Sequence, residues 1–129
     1  LTFAALHPDL IAGAAAMNGT ANHLEYENYQ DAIRESFGGK KHEIPEEYKK
    51  RSAEYWPERF TMPLAMTLSG NDTAVPPRSA LRLADVLRKM GRDVFVIHRE
   101  EQGHFTTYED ARAIIEHVIA RANENTHDK

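Results

Sequence analysis

The sequence predicts an α/β fold built on a parallel sheet, and three observations carry that expectation. From Leu64 onwards, short apolar strand segments alternate with longer segments of helical periodicity. Each strand ends in a polar turn and each helix has a recognisable start. An apolar run near the N terminus, Leu10–Met17, supplies one more strand. A strand–helix–strand crossover within one sheet is almost always right-handed, which makes the sheet parallel.

Taken in order, Leu1–Leu6 reads as the tail of a helix that stops before Pro8, because the residue preceding a proline is pushed out of the helical region. Leu10–Met17, bounded by Pro8 and by Asn18-Gly19, suits a strand covered on both faces. Thr20–Tyr55 changes character to polar and tyrosine-rich, with Gly38-Gly39 and Pro45 as punctuation. It reads as short surface helices, roughly Leu24–Phe37 and Pro45–Tyr55, inserted between strands. Leu64–Leu68 is a short buried strand followed by the turn Ser69-Gly70-Asn71-Asp72-Thr73. Pro76-Pro77 opens a helix, since proline is tolerated in a first turn. Ala80, Leu83, Ala84, Leu87 and Met90 fall at helical spacing, and Gly91 stands where a left-handed cap belongs. Val94–His98 is the next strand, with Val94, Val96 and His98 on one side and Phe95 and Ile97 on the other. Thr106 and Glu109 have capping-box spacing. Ala111, Ile114, Ile115, Val118, Ile119 and Ala122 then form one apolar stripe. Three parallel strands do not make a self-sufficient doubly wound sheet, so further strands are expected N-terminal to Leu1.

Composition narrows the function. Of 129 residues, 41% are hydrophobic and 28% charged, as in an ordinary globular protein. Sixteen basic against twenty acidic side chains give a net charge of −4, and no basic block suggests a nucleic-acid partner. The absence of cysteine excludes a thiolate nucleophile and a sulfur-ligated metal. No apolar stretch is long enough to cross a membrane as a helix. The compartment is left open.

In an open parallel sheet, ligands bind beyond the carboxyl ends of the strands. Two titratable residues fall there on consecutive strands: Asp72 after Leu64–Leu68, and His104 after Val94–His98. An aspartate bonded to a histidine Nδ1–H fixes the tautomer and stabilises the imidazolium, the orienting half of a nucleophile–base–acid triad. The acid-then-histidine order is that of α/β-hydrolases. A Gly-Asn-Asp segment is also a common turn, and on topology alone the two readings weigh about equally. Ser69 lacks a strand-to-helix elbow and reads as a turn residue. His7, His23 and His42 lack metal-ligand spacing. Glu25, Glu27, Glu46 and Glu47 read as solvated helix faces. Tyr26, Tyr29, Tyr48, Tyr55 and Trp56 read as packing of the insertion against the core, with a pocket lining as the other reading.

The whole chain resembles the C-terminal half of an α/β-hydrolase, nearest to the prolyl oligopeptidase and dienelactone-hydrolase-like branches. The carrying residues are His7-Pro8-Asp9-Leu10, Arg51-Ser52 with Pro63 ahead of a strand, Asp72-Thr73-Ala74-Val75-Pro76, and Glu101-Gln102-Gly103-His104-Phe105. The resemblance implies that Asp72 is the triad acid and His104 the general base. It departs from the family pattern in three places. One residue rather than two separates Gly70 from Asp72, with Ser69 in the usual glycine place; Ser52 is followed by Ala53 rather than proline; and no Gly-x-Ser-x-Gly elbow is present. In such proteins the nucleophile helix runs into a segment like Leu1–Leu6, which would put the serine a few residues before Leu1.

The expected protein is therefore the C-terminal portion of a serine hydrolase acting on ester or peptide bonds, with a prolyl oligopeptidase-like peptidase favoured over a carboxylesterase. Residues 20–58 would form a helical cap. The alternative is a non-catalytic binding or assembly protein on the same scaffold. No cofactor and no metal are expected; partners would be a small-molecule ester or peptide substrate, and a second copy or the N-terminal half. The isolated chain is expected to be inactive.

Overall fold

The computed structural model describes residues 1–127. Three strands, β1 (Ala14–Met17), β2 (Leu64–Ser69) and β3 (Val94–Arg99), form one parallel sheet in the order β1-β2-β3. Ala14 pairs with Leu64, and Leu64 with Val94, so all three run in register to one carboxyl edge. The helices are α1 (Thr2–Leu6), α2 (Gln30–Phe37), α3 (Pro45–Lys50), α4 (Arg78–Lys89) and α5 (Tyr108–His127). Among the described residues, no helix is long and apolar enough to cross a membrane.

β2 is buried along its whole length because both of its faces are covered. Leu64, Met66 and Leu68 join Ala80, Leu83, Ala84 and Leu87 of α4, with Val94 and Val96 packed alongside. Ala65 faces the other way, against Ile114 and Val118 of α5 with Phe95 and Ile97. The period-2 split expected for Val94–His98 thus sends its two apolar sets to two separate cores. Gly91, at φ 74°, ends α4 in the left-handed conformation expected of it.

Several boundaries differ from expectation, each for a local reason. The strand expected over Leu10–Met17 begins only at Ala14, where the Ala14 N–H meets the Pro63 carbonyl; the Leu10 N–H is taken by His7 in a tight turn over Pro8–Leu10. Ala15 and Met17 are exposed, so β1 is covered on one face and not on two. The helix expected over Leu24–Phe37 starts at Gln30. The Asn22 side chain accepts the N–H groups of Leu24 and Glu25, holding a turn that competes with a helix, and Tyr29 is left-handed at φ 51°. The helix expected over Pro45–Tyr55 stops at Lys50, since Ser52 is extended, and single turns follow at Ala53–Tyr55 and Pro57–Arg59. α5 is capped one residue later than expected: the Thr107 hydroxyl, not that of Thr106, accepts the N–H three residues on, from Asp110 at 3.2 Å. In the apolar stripe of α5, Ile114 and Val118 are buried while Ile115 and Ile119 are exposed, as is Met90 beyond α4.

The segment between β1 and β2 is tied to α4 by charge. Arg82 bonds Glu25 and Glu54 at 2.6 Å each, and the guanidinium holds both carboxyls below the usual range. Glu25 is therefore a cross-link from a turn, not part of a solvated helix face.

Candidate active site

The site is assembled at the carboxyl edge, where the loops after β2 and β3 are bonded to each other through their backbones. The Gly70 N–H donates to the Arg99 carbonyl at 2.9 Å, and the Asn71 N–H to that of Gln102 at 3.0 Å. A Cβ on Gly70 would lie 2.4 Å from the Glu100 carbonyl oxygen, so only glycine lets the two loops close to this distance. The loop stitching brings the residues after each strand within reach of one another.

Asp72 lies in the first loop with its side chain 1% exposed. Its Oδ1 accepts the N–H groups of Ala74 at 3.0 Å and Val75 at 2.8 Å, and its Oδ2 lies 2.8 Å from Nδ1 of His104. A carboxylate surrounded by donors presents only acceptors, so His104 carries its proton on Nδ1. That leaves Nε2 with a free lone pair, on a ring that is 47% exposed and makes no other hydrogen bond through that nitrogen among the described residues. The two residues singled out from topology are thus in contact, one buried and fixed, the other open to an incoming group.

Asn18, at the end of β1, completes the edge. It is buried and left-handed at φ 52°. Its Nδ2 donates to the His104 carbonyl and, at 3.0 Å, to the Thr106 hydroxyl, while its Oδ1 accepts from the Ser69 hydroxyl at 3.0 Å. Thr106 also meets Thr67 of β2 at 2.8 Å. Ser69 is thereby a buried bonding partner at the last position of β2, not the first residue of the turn in which it was expected, because it still pairs with Arg99 of β3. Neither Asn18 nor Thr106 stood out as a site residue in the sequence. The available signal was Asn18-Gly19 at a strand exit, a pair that tolerates left-handed backbone.

The segment after β1 touches the acid loop directly. The Tyr26 hydroxyl donates to the Ala74 carbonyl at 2.8 Å, and Asn28 Nδ2 donates to the same carbonyl at 2.8 Å and to that of Thr73 at 3.1 Å. Burial pushes the Tyr26 phenol above its ordinary value. A cavity of about 70 Å³ beside this contact is lined by Tyr26, Asn28, Pro76 and Arg78, and reaches neither Asp72 nor His104. Of the other aromatics, Tyr48 is in the core, whereas Tyr29 and Tyr55 are exposed. Among the described residues, no group of three or more His, Asp or Glu could hold a metal ion.

These features have counterparts in known proteins. The model of the prolyl oligopeptidase family, Peptidase_S9, matches residues 1–122. The chain belongs to the prolyl oligopeptidase family. Its parallel sheet and flanking helices match the α/β-hydrolase fold of solved structures. Pyrococcus horikoshii acylaminoacyl peptidase superposes with a TM-score of 0.67 at 18% identity, over 95% of this chain and 21% of that one. A puromycin hydrolase gives 0.69 at 16% identity, over 94% and 19%. The monoacylglycerol lipase of Paleococcus ferrophilus gives 0.58 at 17%, over 92% and 63%. The chain thus spans about a fifth of the length of the acylaminoacyl peptidase and of the puromycin hydrolase. No protein of curated function matches it.

Proposed function

We propose that this prolyl oligopeptidase-family chain carries the acid and the base of a Ser-Asp-His triad in a serine peptidase, with His104 as general base and Asp72 as its orienting acid. The observation that carries the reading is the 2.8 Å contact between Asp72 Oδ2 and His104 Nδ1, which leaves Nε2 basic and half-open to solvent. In that role Nε2 takes the serine proton as Oγ attacks the scissile carbonyl. It then returns the proton to the leaving amine as the C–N bond breaks and the acyl-enzyme forms. Water repeats the cycle, and the serine is regenerated. No serine of residues 1–129 sits in a Gly-x-Ser-x-Gly setting, and Ser69 is bonded to Asn18. In this reading the nucleophilic serine is contributed by sequence outside residues 1–129.

Residues 20–58 act in this reading as a cap whose Tyr26 and Asn28 rest on the acid loop. β1 is an edge strand in the order β1-β2-β3, and its free edge is where a second copy or a further segment of the same polypeptide would pair.

The test is turnover of a peptidyl p-nitroanilide and of a p-nitrophenyl ester by the full-length gene product. His104→Ala should abolish both activities, and Asp72→Asn should cut kcat about 10⁴-fold through loss of the correct tautomer. Residues 1–129 alone should be inactive. Near-wild-type turnover in Asp72→Asn would reduce Asp72 to a turn residue, and ester turnover without amide turnover would favour a carboxylesterase.

A further inference from the structure

We propose that Asn18 is a positioning residue for His104: its side-chain amide holds the backbone of the histidine loop and so sets where the imidazole points. The inference rests on the general-base role proposed for His104. The loop between β3 and α5 is stitched to the loop after β2 at Arg99 and Gln102, but among the described residues the main chain of Gly103–Phe105 makes no backbone–backbone bond. Glu100, Glu101, Gly103 and Phe105 are exposed, and Phe105, at 89%, is no apolar anchor. The Asp72 contact restrains the ring at Nδ1, but one hydrogen bond at one atom leaves the ring free to pivot about it. Asn18 supplies the second restraint, on the main chain of the same residue, with Thr106 as a further point two residues on.

The chemistry of this position selects asparagine. A carbonyl oxygen only accepts, so the Asn18 atom facing His104 has to be the NH2 group; the atom facing the Ser69 hydroxyl is then Oδ1. Every polar atom of the side chain has a partner, although β1 is not a neighbour of β3 and the amide has to reach across the end of β2 to meet the loop. The backbone is left-handed, which asparagine and glycine adopt more readily than other residues. Glycine would satisfy the backbone and lose all three side-chain bonds. Aspartate would keep the shape and present an oxygen, with its charge, to the His104 carbonyl.

The consequence is catalytic because a general base works only within hydrogen-bond reach of its proton, and a misplacement of about 1 Å costs on the order of 10²-fold. In the full-length enzyme, with a peptidyl p-nitroanilide as substrate, Asn18→Gly should lower kcat by about 10- to 100-fold, with KM changed less than twofold. Asn18→Gly is the informative variant because it fits the left-handed backbone, so its destabilisation is confined to the lost side-chain bonds and kcat is read per folded molecule, with the folded fraction taken from its circular-dichroism melt. Asn18→Asp should lower kcat and also move the acidic limb of the kcat/KM pH profile upward, since a carboxylate beside the histidine loop favours the imidazolium. A change confined to folding moves neither that limb nor kcat per folded molecule. Wild-type kcat in Asn18→Gly, while His104→Ala abolishes turnover, would overturn the positioning role and leave the triad standing. So would a kcat loss that disappears after correction for the folded fraction with the acidic limb unmoved. Retained turnover in His104→Ala would overturn the hydrolase reading itself, and the role of Asn18 with it.

Discussion

Acidification should loosen this chain through His23 before its carboxylates are protonated. The His23 ring joins α1 to the segment after β1, stacked edge-on against Phe37 at 5.2 Å between centroids. The Thr2 hydroxyl donates to the Arg51 carbonyl at 2.8 Å, so its oxygen accepts at 3.2 Å from His23, which places the imidazole proton on Nε2. Nδ1 is then the bare nitrogen, buried and without a partner among the described residues. Protonating it would bury an N–H with no acceptor, near Arg51 and Lys41. Burial, followed by neighbouring positive charge that includes these two side chains, lowers its pKa from 6.5 to about 4. Because the folded pKa lies below the unfolded one, the unfolded state binds the extra proton as pH falls; the stability contribution is complete above 6.5 and is lost towards 4. At pH 5 linkage gives a loss of about 2 kcal/mol relative to pH 8, or about 1–2 kcal/mol after allowance for the solvent-exposed part of the ring. For a chain of this size that is a fall in Tm of roughly 5 °C. Glu25, Glu54 and Asp110 also have lowered pKa values, but their contributions are present above the ordinary carboxylate range and are lost only below it. Urea unfolding at pH 8 and pH 5 in wild type and in His23→Gln therefore isolates the histidine. The variant should be less stable at pH 8 and should lose less stability between the two pH values. An equal loss in both proteins would refute the argument.

Other expectations concern the scaffold. Gly70→Ala should cost about 1–3 kcal/mol by urea unfolding, because its Cβ meets the backbone of Glu100 rather than a flexible side chain. On the triad reading, the full-length protein should also lose kcat as the two loops spread. Leu87→Ala, at a fully buried position of α4, should cost about 2–5 kcal/mol, whereas Arg82→Ala, which removes a largely exposed ion-pair network, should cost about 1 kcal/mol or less. Equal destabilisation by those last two variants would show that the charge network matters more than its exposure suggests.

The elements read correctly from sequence are those whose burial imposes a period. β2 and β3 start where expected and run one residue longer, and α4 starts at Arg78, just after the Pro76-Pro77 pair expected to open it; Leu64–Leu68, Val94–His98 and Ala80–Leu87 each answer to a covered face. The errors cluster where a side chain competes with the backbone. Asn22 holds a turn inside what composition alone makes a helix, and Ser52, fully buried, accepts the His23 N–H while donating to the Tyr48 carbonyl at 2.6 Å. Such bonds leave no periodic trace. The capping shift on α5 has the same origin: Thr106 and Thr107 are adjacent hydroxyls of equal capping propensity, and only the packing of Thr106 on Thr67 decides between them.

The candidate site was legible for a different reason. Asp72 and His104 follow successive strands, and parallel neighbours deliver their following loops to one edge whatever lies between. Topology supplies proximity to within several ångströms; the last few come from contacts that no spacing rule contains. Gly70 brings the loops together, two backbone N–H groups fix the buried carboxylate, and Asn18 reaches from a strand that is not β3's neighbour. The sequence departure of a single residue between Gly70 and Asp72 fits this arrangement. Gly70 is used at the end of β2 for loop closure, its N–H bonding Arg99 and its missing Cβ making room for Glu100, while Asp72 turns back to receive Ala74 and Val75. The acid is thus set by the centre of the sheet and the base by its edge. In the triad reading, a buried, multiply bonded Asp72 would keep its position while the more exposed His104 accepted and returned a proton, the division a proton-transfer pair requires.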